Sequence, residues 1–63
     1  MQSTVQYLNE VQVAEVTGRA LSTLRNDRFN RRGIPYVKIG RSVRYNLQDV
    51  VQFMEMHKIE TQN

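Results

Sequence analysis

The sequence predicts a small α+β fold, mostly helical, with its elements in the order helix, helix, β-hairpin, helix. Three observations predict it. Apolar residues recur at helical spacing, most regularly in Leu47, Val50, Val51 and Met54. In the middle of the chain Val37, Ile39, Val43 and Tyr45 alternate with polar side chains on either side of Gly40-Arg41-Ser42, the period of a strand. Gly18, Gly33 and Gly40 fall between these runs, where the chain has to turn.

The elements follow in order. Residues 1–6 are polar and aperiodic and read as a frayed end, as do residues 59–63, which leaves 7–58 as the folded domain. Asn9 is placed to cap a helix beginning at Glu10, with Gln12 reaching back to complete a capping box. Val13, Ala14 and Val16 are its inward stripe, and Leu8 staples its entry. Gly18 ends it. A second helix runs from about Ala20 to Phe29 or Asn30, with Leu21 and Leu24 inward and Ser22, Thr23, Arg25 and Asn26 on the other side. Arg31, Arg32 and Gly33 close it, and Pro35 pushes Ile34 into extended backbone. The hairpin is expected to put Val37, Ile39, Val43 and Tyr45 on one face and Lys38 and Arg44 on the other. Asn46 caps the third helix, helped by Asp49, and Phe53 widens its apolar stripe.

Charge is distributed unevenly over this frame. The net charge is +3, yet eight of the nine basic residues fall between Arg19 and Tyr45, where Asp27 is the only acid. That segment carries +7, and seven of its eight bases are arginine, whose planar fork suits phosphate oxygens and guanine edges. A polyanionic partner follows. Two short helices joined at a glycine, followed by a basic hairpin, make a small winged helix-turn-helix, in which the second helix enters the major groove of duplex DNA. Ser22, Thr23, Arg25 and Asn26 are then the base-reading side chains, short or forked donors near the start of that helix. Arg28, Arg31 and Arg32 at its far end exceed what one helix dipole uses and are read as phosphate contacts, with Arg19 in the turn open to either role. Arg41 at the hairpin tip, with Lys38 and Arg44, forms the wing on phosphates or in the minor groove. The competing reading is an edge strand guarded by charge.

Other chemistries lack residues. With no cysteine and a single histidine, His57, neither a metal site nor thiol chemistry is expected. The six acids form no evident general acid–base pair, no glycine loop cradles a phosphate, and neither an enzyme nor a cofactor is expected. No apolar run is long enough to span a bilayer and the N-terminus has no secretory pattern, so a cytoplasmic location away from membranes is expected. At 63 residues the chain makes one domain, whose net stability is about 3 to 5 kcal/mol.

From Tyr7 to Met54 the chain resembles the helix-turn-helix domains of the excisionase and AlpA family, which are similar to the winged DNA-binding part of MerR-type regulators. The resemblance rests on Tyr7-Leu8, Val13-Ala14-Glu15, Gly18, Ser22-Thr23-Leu24, Pro35 through Arg41, Val43-Arg44-Tyr45, Asp49-Val50 and Phe53-Met54, in that order and spacing. It implies a protein of prophage or mobile-element type that assists an integrase in excision or regulates transcription. Ser22, Thr23, Arg25, Asn26, Arg41 and Arg44 would carry the DNA contact. Ala20 stands where that family often has a capping serine, and Asp27 where an aromatic is common, with Phe29 expected to take over the packing role. Nothing corresponds to the effector domain of MerR-type proteins, so no small-molecule effector is expected. The expected partners are double-stranded DNA and an integrase or recombinase, the protein being a monomer in solution and cooperative or dimeric on DNA. The alternative is an adaptor that recruits a protein through the third helix and the tail, with DNA binding secondary.

Overall fold

The computed structural model describes residues 5–61; residues 1–4, 62 and 63, where the frayed ends are expected, lie outside it. Six elements follow one another: β1 (Tyr7–Leu8), α1 (Glu10–Thr17), α2 (Leu21–Phe29), β2 (Val37–Ile39), β3 (Ser42–Asn46) and α3 (Leu47–Met56). The fold is mixed α+β and mostly helical, its three strands forming an antiparallel sheet in the order β1-β3-β2. No helix among the described residues is long and apolar enough to cross a membrane.

Local chemistry sets the boundaries. The Asn9 side chain accepts from the Gln12 N–H at 2.8 Å, and the Gln12 side chain accepts from the Asn9 N–H at 2.9 Å, the reciprocal box expected at the start of α1. Gly18 ends α1 in the left-handed region, at φ 73°, its N–H donating to Ala14 O. Ala20 opens α2 with no side-chain hydrogen bond, because a methyl group has none to offer. The end of α2 is a Schellman motif: Arg31 N–H donates to Arg28 O and Arg32 N–H to Asp27 O. Its left-handed position is held by Arg31, at φ 55°, where glycine is usual. Asn46 caps α3 by accepting from Gln48 N–H, and Asp49 contributes charge to the first turn.

The core is Leu8, Val13, Leu24, Ile34, Tyr45 and Val50, with Ala14, Leu21, Val43, Leu47 and Phe53 packed around it. Two expected inward stripes are rotated. Val16 is exposed while Val13 and Ala14 face in, and α3 turns Leu47, Val50 and Phe53 inward, leaving Val51 and Met54 outside. The sheet holds a strand with no sequence signal, β1, whose two residues pair as Tyr7↔Asn46 and Leu8↔Tyr45; the carbonyl of Gln6, expected in the frayed end, accepts from Leu47 N–H.

The hairpin departs from expectation in its register. Ile39 pairs with Ser42, so Gly40 and Arg41 alone make the turn, one residue shorter than the Gly40-Arg41-Ser42 tip expected. A one-residue change in a hairpin exchanges faces. Lys38 therefore stands opposite Val43, and Arg44 opposite Val37, so the two bases lie on opposite faces of the ribbon. Val43 and Tyr45 face the core, whereas Val37 and Ile39 share the outer face with Arg44, and Ile39 is 72% exposed.

Candidate nucleic-acid interface

Periodicity places the basic residues relative to α2. Leu24 and Asp27 are buried and Leu21 and Arg28 half-buried, which defines the inner side of the helix; Ser22, Arg25 and Asn26 face out. Thr23 lies at the boundary, partly buried.

Two carboxylates organise four of the arginines. Glu10 of α1 receives Arg25 through Nη2 at 2.6 Å and Nε at 3.3 Å, and Arg28 through Nη2 at 3.0 Å. Arg28 also donates from Nη1 to the Tyr45 hydroxyl at 2.7 Å and lies over the Tyr36 ring, 5.9 Å from its centroid. On the other flank of α2, Asp27 accepts from Arg19 Nη2 at 2.8 Å and Arg32 Nε at 3.2 Å. Asp27 is only 9% exposed; Gly33 comes so close that a Cβ there would lie 2.9 Å from the Asp27 Cβ. Phe29, expected to take over the packing, is 86% exposed. The charge of Asp27 is tolerated at this burial because two neighbouring guanidiniums satisfy it.

Protonation follows from these contacts. The hydrogen bond from Arg25, with further help from Arg28, holds the Glu10 carboxyl below the usual carboxylate range against the opposing effect of burial. Glu10 in turn raises Arg25 through the same hydrogen bond. Burial disfavours the charged form of Arg28, but hydrogen bonds with Tyr45 and Glu10 outweigh it, and its pKa is raised. Each carboxylate serves two guanidiniums, so both clusters keep a positive charge.

Two depressions gather eight of the eleven expected site residues. Arg19, Ser22, Thr23, Asn26 and Arg32 line one shallow depression around Asp27. Arg28, Arg41 and Arg44 line a second, together with Glu10 and Val11 of α1 and Ser42 and Val43 of the hairpin. Arg25, on the outer face of α2, bonds Glu10 in the first turn of α1, and Glu10 lines the second depression together with Arg41 of the hairpin tip. Arg31 lies apart with Arg32, Pro35 and Tyr36, and Lys38 is on the hairpin face away from Arg44. Arg28, expected on phosphate, is turned inward, its side chain only 16% exposed, because Tyr45 and Glu10 take its donors. Arg25 keeps a side chain 58% exposed.

Sequence reasoning missed Glu10 and Asp27 as the acids that order the arginines. For Asp27 a signal was present: it lies three residues after Leu24 and six after Leu21, on their side of a helix. For Glu10 there was none, since its partners lie in another element. Among the described residues no three metal-binding side chains cluster, and His57 Nδ1 lies 2.8 Å from Phe53 O at the end of α3. Comparison with protein-family models, with curated proteins and with solved structures finds no match for the chain.

Proposed function

We propose that this protein is a sequence-specific double-stranded DNA-binding protein, a winged helix-turn-helix of prophage or mobile-element type. It acts as an excisionase or as a small transcriptional regulator. In this reading α2 lies in the major groove, with Ser22, Arg25 and Asn26 on base edges, and the β2–β3 hairpin lies along phosphates or in the minor groove through Arg41 and Arg44. The observation that carries it is the continuity of the exposed α2 face with the hairpin tip through the Arg25–Glu10 bridge. Charge supports it: Arg19, Arg25, Arg28, Arg32, Arg41 and Arg44 share this surface with two acids, Glu10 and Asp27, and Arg41 and Arg44 have no carboxylate partner among the described residues.

Arg31 adds support of another kind. A non-glycine residue in the left-handed region costs about 1 kcal/mol or more, which a glycine at the same position avoids. An arginine at φ 55° puts a charge where the backbone itself favours glycine, which suits a role toward a partner.

Salt dependence of DNA binding tests this reading. With four or five phosphate contacts, affinity falls about 150- to 500-fold between about 50 and 200 mM salt. Binding indifferent to salt would remove the electrostatic basis of the proposal.

The adaptor reading, in which α3 and the tail recruit an integrase, has one observation in its favour. A shallow groove beside α3 is lined by Gly33, Pro35, Phe53 and Met56. The same groove includes Asp49, Gln52 and His57, a polar share that suits a secondary contact beside DNA binding.

A further inference from the structure

We propose that Phe29 reads the C5-methyl group of a thymine in the major groove, beside an adenine read by Asn26, an inference that rests on the DNA-binding reading of α2. Phe29 is 86% exposed. Exposure of one aromatic carries little alone, since isolated surface apolar residues are common. Its position carries the argument. Seven residues separate Phe29 from Ser22, nearly two full turns, so the ring stands within about 20° of Ser22 around the helix, opposite the buried side. Ser22, Asn26 and Phe29 thus form one line along the outer face, with Arg25 on one flank and the Arg19–Asp27–Arg32 cluster on the other.

The ring stands on a fixed part of the helix. Asn30 N–H donates to Asn26 O, Arg31 N–H to Arg28 O and Arg32 N–H to Asp27 O, so the turn that bears Phe29 is closed on its C-terminal side. Asn30 Nδ2 also donates to Asn26 O and Oδ1 at 2.9 and 3.3 Å. That contact orients the Asn26 amide and leaves its own Nδ2 donors without a partner among the described residues.

The neighbours of the ring select the partner. A protein-docking patch is a contiguous apolar surface, whereas the outward residues around Phe29 on α2 are Ser22, Arg25, Asn26 and Asn30. One apolar ring among amide and guanidinium donors matches a base-pair edge that offers one apolar group among acceptors and donors. In the major groove only the A·T pair does so: adenine shows N7 and N6–H₂, and thymine shows O4 and a methyl group. An asparagine amide pairs with adenine N7 and N6, and an aromatic ring takes the methyl.

The test uses duplexes enriched from a random-sequence pool by repeated binding to the intact protein. Each thymine of the enriched duplex is replaced in turn by uracil, which removes the methyl and nothing else. The native protein is expected to bind about fourfold more weakly at one position, the loss of one buried carbon. Phe29→Ala, whose fold is checked by circular dichroism, is expected to bind the thymine and uracil duplexes equally, and Phe29→Leu to retain part of the preference. Indifference of the native protein to uracil at every position, or the same sensitivity in Phe29→Ala, would overturn the inference while leaving DNA binding standing. So would a Phe29→Ala protein that keeps the uracil effect and loses only cooperative loading of a second copy, which assigns the ring to a protein contact. Failure to enrich any sequence would overturn sequence-specific DNA binding, and the inference with it.

Discussion

Glu10, the first residue of α1, is hydrogen-bonded by Arg25 of α2 at 2.6 and 3.3 Å, although the two are 15 residues apart in the chain. The same carboxylate takes Arg28, which also reaches the Tyr45 hydroxyl, so one acid ties α1 to α2 and, through Arg28, to β3. In a chain whose core is six buried apolar side chains, such a polar tie is a sizeable part of what fixes the helices against the sheet.

Glu10→Gln keeps the side-chain volume and removes the charge. The site is partly screened by solvent, so the expected loss of stability is about 1 kcal/mol, read as a lower urea midpoint. The effect depends on pH. The folded-state pKa of Glu10 lies below its unfolded value, so its contribution is complete above the unfolded value of about 4.3 and disappears as pH falls through the folded one. The gap between native and Glu10→Gln proteins should therefore be full at neutral pH and close on acidification. A gap that stays constant to pH 3 or below, on the order of a unit under the unfolded value, would separate the stability effect from the charge.

Gly33→Ala and Gly18→Ala separate backbone strain from crowding. Both glycines have positive φ, 86° and 73°, but an added Cβ meets nothing within 4 Å at Gly18 and lies 2.9 Å from Asp27 Cβ and Oδ2 at Gly33. Gly18→Ala is expected to cost about 1 kcal/mol from the left-handed conformation alone. Gly33→Ala should cost about 1 to 3 kcal/mol more, because Asp27 is held by Arg19 and Arg32 and has little room to give. Thermal unfolding of the two variants checks the order.

Ala20→Ser supplies the cap that α2 lacks. Ala20 already has the extended backbone of a cap residue, φ −68° and ψ 148°, so the serine hydroxyl needs no rearrangement to accept from the first turn. Stability should rise by about 1 kcal/mol, seen as a higher urea midpoint with an unchanged slope.

Arg31→Gly should divide stability from binding. Glycine removes the left-handed strain and gives back part of that gain as unfolded-state entropy, for a net change of about 0 to 1 kcal/mol in favour of the fold. DNA affinity should fall nonetheless, with the salt slope reduced by about one unit for the lost phosphate contact. Fluorescence anisotropy over a salt series reads both quantities.

The parts of this fold legible in the sequence are those decided within a few residues. Asn9 and Gln12 cap each other three residues apart, Gly18 ends α1 next to the residue it closes, and Asn46 bonds two residues ahead. Hydrophobic periodicity was a weaker guide, because which flank of a stripe is buried depends on the opposing element; Val51 and Met54 lie outside while Phe53 packs inside. The hairpin register turned on a single residue: a tip of Gly40 and Arg41 rather than three residues moves Val37 and Ile39 off the core face. At the candidate interface, the outward placement of Ser22, Arg25 and Asn26 was readable from helix geometry, whereas the inward turn of Arg28 was not, because Glu10 and Tyr45 come from other elements.

Sequence reading by α2 is tested by one comparison. Affinity is measured for an enriched duplex and for random duplex DNA near physiological salt, with the native protein and with an Arg25→Ala, Asn26→Ala double variant. The native protein is expected to prefer the enriched duplex, and the double variant to bind both DNAs alike, at the weaker affinity left by its phosphate contacts. A preference that survives the double substitution undiminished would contradict sequence reading by these two side chains of α2. Equal affinity of the native protein for both DNAs would contradict sequence-specific binding altogether.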